Sequence, residues 1–198
     1  MFVSTRFARW LSVGFALLLL SGCGINNIPT FDEEVKAAWS QVENQYQRRT
    51  DLIPNLVETV KGFAKQERRV LTEVVEARSK VARMQIPKDV LTNPEAFRQF
   101  QQNQDSLSSA LARLMVVVER YPDLKSNQNF LALQSQLEGT ENRISVARRD
   151  YIEAVRKYNT ELRTIPGRWW AALLYPDAKV RETFTVPEAS KQVPQVKF

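Results

Sequence analysis

Arg48-Arg49-Thr50-Asp51-Leu52-Ile53-Pro54-Asn55-Leu56-Val57-Glu58-Thr59-Val60 decides the fold of this chain, because a proline stands inside a helical pattern. Apolar or aromatic residues recur upstream at Val35, Trp39, Val42 and Tyr46, and downstream at Ile53, Leu56, Val60, Phe63, Val70, Val74, Ala77, Val81 and Met84. They keep one phase of alternating three- and four-residue steps, the core stripe of an amphipathic helix. Only Arg49 and Glu67 interrupt it. Proline lacks an N–H, and its ring crowds the preceding turn. Two readings follow. One is a single helix of about 53 residues kinked at Pro54, roughly 80 Å long at 1.5 Å per residue. The other is an antiparallel turn over Thr50 to Ile53, with Pro54 in the first turn of the next helix.

The remaining segments favour the turn. Thr30 or Asp32 reads as the N-cap of the first helix, with Glu33 and Glu34 in its first turn. Pro94 opens a segment of about 28 residues striped by Phe97, Phe100, Leu107, Leu111, Leu114, Val118 and Tyr121, ended by Pro122. Another runs from about Ser126 to Arg163 with Phe130, Leu133, Leu137, Ile144, Ala147, Tyr151, Ala154 and Tyr158 in phase. A helix of 80 Å would outrun such partners, by the same rise per residue of about 1.5 Å. A turn at Pro54 instead makes four elements of comparable length, predicting an all-α, antiparallel up-down four-helix bundle. Three long helices with the first kinked at Pro54 are the alternative. The unbroken phase across Pro54 argues for that alternative.

The N-terminal stretch reads as an address. Arg6 and Arg9 precede the apolar run Trp10 to Leu20, and Leu20-Ser21-Gly22-Cys23 has the form of a lipobox. The expectation is a lipoprotein signal peptide over 1–22, with Cys23 acylated after cleavage. Residues 23–30 then form a lipidated tether, 31–166 the helical bundle, and 167–198 an aromatic cluster and proline-punctuated tail. Loss of Arg6 and Arg9 lowers the formal charge from +6 to +4. In a cell with two membranes, Gly24 after the acylated cysteine lacks the aspartate that retains lipoproteins in the inner membrane. That predicts the outer membrane, facing the periplasm.

Composition narrows the chemistry. Cys23 is the only cysteine and would carry lipid, and there is no histidine. A thiolate or imidazole site is therefore excluded, leaving carboxylate, hydroxyl or lysine chemistry. Arg49, Asp51 and Asn55 around Pro54 form a candidate polar junction, either an anion or carboxylate site or simple helix capping by Asp51. Glu58, Glu67, Glu73 and Glu76 point to different helix faces, and Glu141 with Arg148 reads as a pair for another helix. No catalytic residues, metal ligands or cofactor are expected.

The stretch Arg48 to Ala64 resembles the signature of the LemA family. Glu67, Leu71, Val74 and Ala77-Arg78 continue the likeness, as do Tyr121-Pro122-Asp123-Leu124-Lys125-Ser126, Thr140-Glu141, Arg148, Tyr158-Asn159 and Ile165-Pro166-Gly167. The resemblance covers roughly Val35 to Gly167. It implies a membrane-anchored, all-helical antiparallel bundle without catalytic residues, in a family one branch of which is related to magnetosome proteins. Two features depart from the family pattern. Many members keep an uncleaved N-terminal membrane helix where this chain has a lipobox, and Ile152 follows Tyr151 where the family usually has asparagine.

Trp169, Trp170, Leu173, Leu174 and Tyr175 cannot all hide on one side of a short helix, so Trp169, Trp170 and Tyr175 are a candidate interaction surface or bundle cap. Together these features predict a non-enzymatic, lipid-anchored envelope scaffold. Its expected partners are a membrane through Cys23, another protein and, in an oligomer, a second copy, with no nucleic acid. The alternative is a periplasmic carrier of an apolar ligand, held in a cavity lined by Phe63, Phe97, Phe100 and Tyr151.

Overall fold

The computed structural model describes residues 24–185. Cys23 and the residues after Thr185 lie outside that range. Four long helices are α1 (Asn27–Phe63), α2 (Arg68–Ala82), α3 (Pro94–Val118) and α5 (Gln128–Arg163). Two short ones are α4 (Pro122–Lys125) and α6 (Gly167–Leu174). The described residues contain helices and no strand, as the stripes require.

The turn is not at Pro54. Helix α1 runs 37 residues straight through the proline, about 55 Å at 1.5 Å per residue. Its neighbours supply the reason. Proline at 54 leaves the carbonyl of Thr50 without its usual donor four residues on, and Arg78 of α2 donates Nε to that oxygen at 3.2 Å. The ring of Pro54 itself faces solvent, where it obstructs no packing. The chain reverses instead over Ala64 to Glu67, so the 53-residue helix is also absent. The second interruption of the apolar stripe, Glu67, marks this turn: its Oε1 accepts Tyr121 Oη at 2.9 Å and Arg120 Nη2 at 3.0 Å. Helix α1 also starts earlier than Thr30, with Asn26 as its N-cap and Pro29 inside the first turn.

Other boundaries follow sequence chemistry. Asn93 Oδ1 accepts the amides of Glu95 and Ala96 ahead of Pro94, and Asn127 Oδ1 accepts that of Phe130. Gly62 and Gly139 show no close approach that would require glycine. Gly167 does, since a Cβ there would stand 2.3 Å from the Glu161 carbonyl oxygen.

Paired residues give the helix directions. Asn27 meets Glu161, Gln45 meets Arg143 and Arg49 meets Glu141, so α1 and α5 are antiparallel. Met84, Glu73 and Glu67 meet Asn103, Arg113 and Arg120, so α2 runs against α3. The result is a helical bundle whose first reversal falls over Ala64–Glu67, fourteen residues after the expected Thr50–Ile53, with a short α2 and with α1 and α5 as its long axis.

The core has two apolar clusters. One contains Val35, Trp39, Val42 and Tyr46 of α1, Phe97 and Phe100 of α3, Tyr151 and Tyr158 of α5, and Phe184 of the C-terminal segment. Trp39 is its centre, with ring centroids 5.0 to 6.3 Å from Phe97, Phe100, Tyr151 and Phe184. The other contains Ile53, Leu56 and Val60 with Leu71, Val74, Leu107, Leu114, Leu124, Phe130 and Leu137. Phe63, assigned to the stripe, is 44% exposed because α1 ends there.

If Arg78 compensates for Pro54, the two substitutions must be coupled. Arg78→Ala should cost about 1–2 kcal/mol by orphaning the Thr50 carbonyl, measured by urea unfolding. In a Pro54→Ala background, where an amide again faces Thr50, that cost should fall by at least half. Equal costs in both backgrounds would refute the compensation.

Candidate functional site

Three regions carry the polar chemistry. The first is a layer between the two apolar clusters, built on Arg49. This guanidinium is 1% exposed. Its Nη1 donates to Ser108 Oγ at 2.8 Å and to Glu141 Oε1 at 3.0 Å. Its Nη2 donates to Gln104 Oε1 at 2.6 Å and to the Gln104 carbonyl at 3.3 Å, while the group lies 5.0 Å from the Tyr46 ring centroid. Only Nε has no partner. A buried guanidinium requires such a cage, because loss of one partner strands a charge. Thr50, Gln104 and Thr140 are buried at the same level. Thr50 and Thr140 turn their hydroxyls back on the carbonyls of Tyr46 and Gln136.

The polar junction expected from sequence is thus dismantled. Arg49 points into the core, whereas Asp51 and Asn55 lie exposed on the outside of α1. Asp51 caps nothing, since no helix begins there, and accepts Gln47 Nε2 at 2.7 Å. Glu141 does serve another helix, but through Arg49 of α1. Arg148 instead lies over the Phe184 ring, 4.3 Å from its centroid.

The second region was not legible as a site. The segment after α6 has no helical period, yet it is strapped along the bundle. Asn159 donates Nδ2 to the Arg181 carbonyl at 2.9 Å and accepts the Arg181 amide at 2.8 Å. Tyr151 Oη donates to the Glu182 carbonyl at 2.7 Å, and the Glu182 amide donates to the Leu91 carbonyl at 2.7 Å. Gln101 Nε2 donates to the Thr185 carbonyl at 2.7 Å, and Phe184 enters the core. Arg181 also pairs with Asp32 of α1 and lies 5.4 Å from the Tyr158 ring centroid. Burial pushes the Tyr151 hydroxyl pKa well up, so it stays a donor. The available signal was the Tyr158-Asn159 dipeptide: an asparagine on a helix, able to bond a passing backbone in both directions.

The third region is the α6 end. Trp170 and Tyr175 are half-buried against the core, and Tyr175 Oη donates to the Ile25 carbonyl at 3.2 Å. Trp169 is 62% exposed. The candidate surface therefore divides, with Trp170 and Tyr175 as a cap and Trp169 facing outward.

Elsewhere Glu58 pairs with Lys61, and Glu73 with both Arg69 and Arg113. Among the described residues no three acidic groups converge on one point where a metal ion could be held. No described helix is long and apolar enough to cross a membrane.

The strap makes a pH prediction. Burial pushes the Asp32 carboxyl up, but hydrogen bonds and charge from Arg181 and Lys36 outweigh it and hold it below the usual range. Stability from this pair is therefore fully present above roughly pH 5 and is lost as pH falls through the depressed folded value, below about 3.9. Asp32→Asn should melt lower than wild type at neutral pH, and the gap should close on acidification. A gap independent of pH would show that ionised Asp32 contributes nothing.

Comparisons with known proteins agree with the architecture. Magnetosome proteins MamQ 1 and MamQ 2 of Paramagnetospirillum magneticum are each 27% identical over 162 residues, covering 74% of this chain and 60% of the relative. Protein LemA of Metamycoplasma hominis is 23% identical over 139 residues, covering 70% of this chain and 59% of the relative. The chain thus matches about three fifths of the length of these curated relatives. The pattern that defines the LemA family matches residues 38–198, taking in the Arg49 layer, the strap and α6, and the chain belongs to the LemA family.

Proposed function

We propose that this protein is a non-enzymatic scaffold or adaptor, held in the bacterial envelope by lipid on Cys23, whose helical domain organises partner proteins or a membrane surface. The observation that carries this reading is the filled interior. Trp39 occupies the space that Phe97, Phe100 and Tyr151 would need to open for a ligand, at centroid distances of 5.0 to 5.7 Å. Phe63, the fourth wall of the envisaged carrier cavity, is on the surface at the far end of α1. The carrier reading therefore has no chamber among the residues that motivated it.

The chemistry inside the bundle supports the same reading. The buried guanidinium of Arg49 and the buried phenol of Tyr151 are spent on holding helices and strap together. Acid–base work needs a titratable group aimed at a space a substrate can enter. Relatives named as magnetosome proteins support the membrane-associated part of this reading. Localisation to the outer membrane, facing the periplasm, follows from the lipobox and Gly24 where two membranes are present.

Cells expressing the full chain should incorporate labelled palmitate into it, and the protein should fractionate with outer-membrane markers. Cys23→Ser should abolish labelling and leave unprocessed precursor or released protein. Wild-type protein that carries no label would overturn the lipid anchor, and co-fractionation with inner-membrane markers would overturn the placement.

A further inference from the structure

Among the described residues the outer face of α6 has no partner. Trp169 is 62% exposed, Leu173 72%, Leu174 47%, and Ile165, just before the helix, 64%. Ile165, Trp169 and Leu173 are spaced four residues apart, which lines them up on one side. The opposite side is built differently: Gly167 is buried, and Trp170 and Ala171 pack on the core. The face is thus bare by design of the spacing rather than through loose packing.

The position of α6 identifies what covers this face. The described chain begins at Gly24, and this beginning is bonded to the α6 end of the bundle. A methyl group on Gly24 would stand 3.8 Å from Pro166 Cγ, at the threshold of α6. Asn27 Nδ2 donates to Glu161 Oε1 at 3.2 Å, and Tyr175 Oη reaches the Ile25 carbonyl. Cys23 is the next residue, about 3.8 Å away from Cα to Cα. A lipid carried by Cys23 is therefore attached one residue from Gly24, beside α6.

Charge complements the apolar residues. Between residues 163 and 179 the charged side chains are Arg163, Arg168 and Lys179 against Asp177, and all four are exposed. Tryptophan and leucine flanked by cations is the composition of a helix that lies in the headgroup region of an anionic bilayer.

We propose that α6 is the membrane-docking surface of this domain. Ile165, Trp169, Leu173 and Leu174 enter the headgroup–acyl boundary, while Arg163, Arg168 and Lys179 meet anionic phospholipid headgroups. An isolated helix of eight residues would bind lipid weakly, but an anchor on Cys23, joined to Gly24 beside it, raises its effective concentration at the surface. The consequence is a polarity: the α6 end of the domain meets the bilayer, and the Ala64–Glu67 turn lies at the opposite end of α1. This inference rests on the anchored reading above, and its test separates the two.

Mature protein beginning at acylated Cys23, purified from envelopes, is reconstituted into vesicles of phosphatidylethanolamine and phosphatidylglycerol containing phosphatidylcholine brominated near the headgroup end of its chains. Flotation reports the anchor, and quenching of tryptophan emission reports contact with lipid. The inference expects wild type to float and to be quenched, with most of the quenching lost in Trp169→Phe. It also expects Leu173→Lys, at an exposed site, to melt like wild type yet lose quenching, and quenching to weaken several-fold without phosphatidylglycerol. Protein that floats unquenched, or is quenched equally in Trp169→Phe, overturns the docking surface while the anchor stands. Crosslinks from position 169 to another protein in intact envelopes, with no quenching in vesicles, assign the face to a protein and likewise overturn it. Protein that does not float overturns anchor and docking together.

Discussion

A guanidinium with almost no access to water, placed inside the longest helix, is the constraint around which this bundle is assembled. Arg49 can be buried only where acceptors converge, and they come from other helices: Ser108 and Gln104 from α3, Glu141 from α5. A slip of one helix by a turn, about 5.4 Å, would leave the charge without a partner in the core. Apolar clusters tolerate sliding far better, since leucine contacts leucine in several registers. The polar layer therefore supplies the register that the two flanking clusters lack. Its polar groups divide the interior, with aromatic packing around Trp39 on one side and aliphatic packing around Leu56 and Leu114 on the other.

Much of this was visible in the pattern of residues. The apolar stripes named the core of every long helix, and the caps at Asn93 and Asn127 stand where Pro94 and the Phe130 stripe begin. The two breaks in the first stripe were the informative positions. Arg49 is the buried layer, and Glu67 is the turn pinned by Tyr121 and Arg120. Pro54 misled because its cost was judged locally. A proline removes one donor, and whether that ends a helix depends on a side chain 24 positions away, Arg78, which no local rule can weigh. The unbroken phase across Pro54 was the better guide. The strap was illegible for a related reason: an extended segment held by asparagine and tyrosine has no periodicity to read.

The ends of the molecule differ in kind. One end carries the start of the described chain, the strap, and α6 with Trp169 outward. The other carries the Ala64–Glu67 turn and a shallow groove lined by Val57, Lys61, Lys65, Leu71 and Val75. Cys23, on which the anchor depends, lies outside the described residues, yet its neighbour Gly24 fixes the end from which it departs. Under the anchor proposed on Cys23, the α6 end is the membrane end of the domain and the Ala64–Glu67 turn its far end.

Native-state hydrogen exchange in wild type and Arg49→Ala tests the role of the polar layer most directly. The amides of Val42 and Tyr151 report one apolar cluster, and those of Leu56 and Leu114 the other. If the layer welds them into one unit, wild type should open both with a single free energy. Arg49→Ala should then lower protection on both sides by about 3–5 kcal/mol, the cost of breaking a buried charge network. Protection that falls only beside residue 49, or not at all, would show that the two clusters hold their register without it.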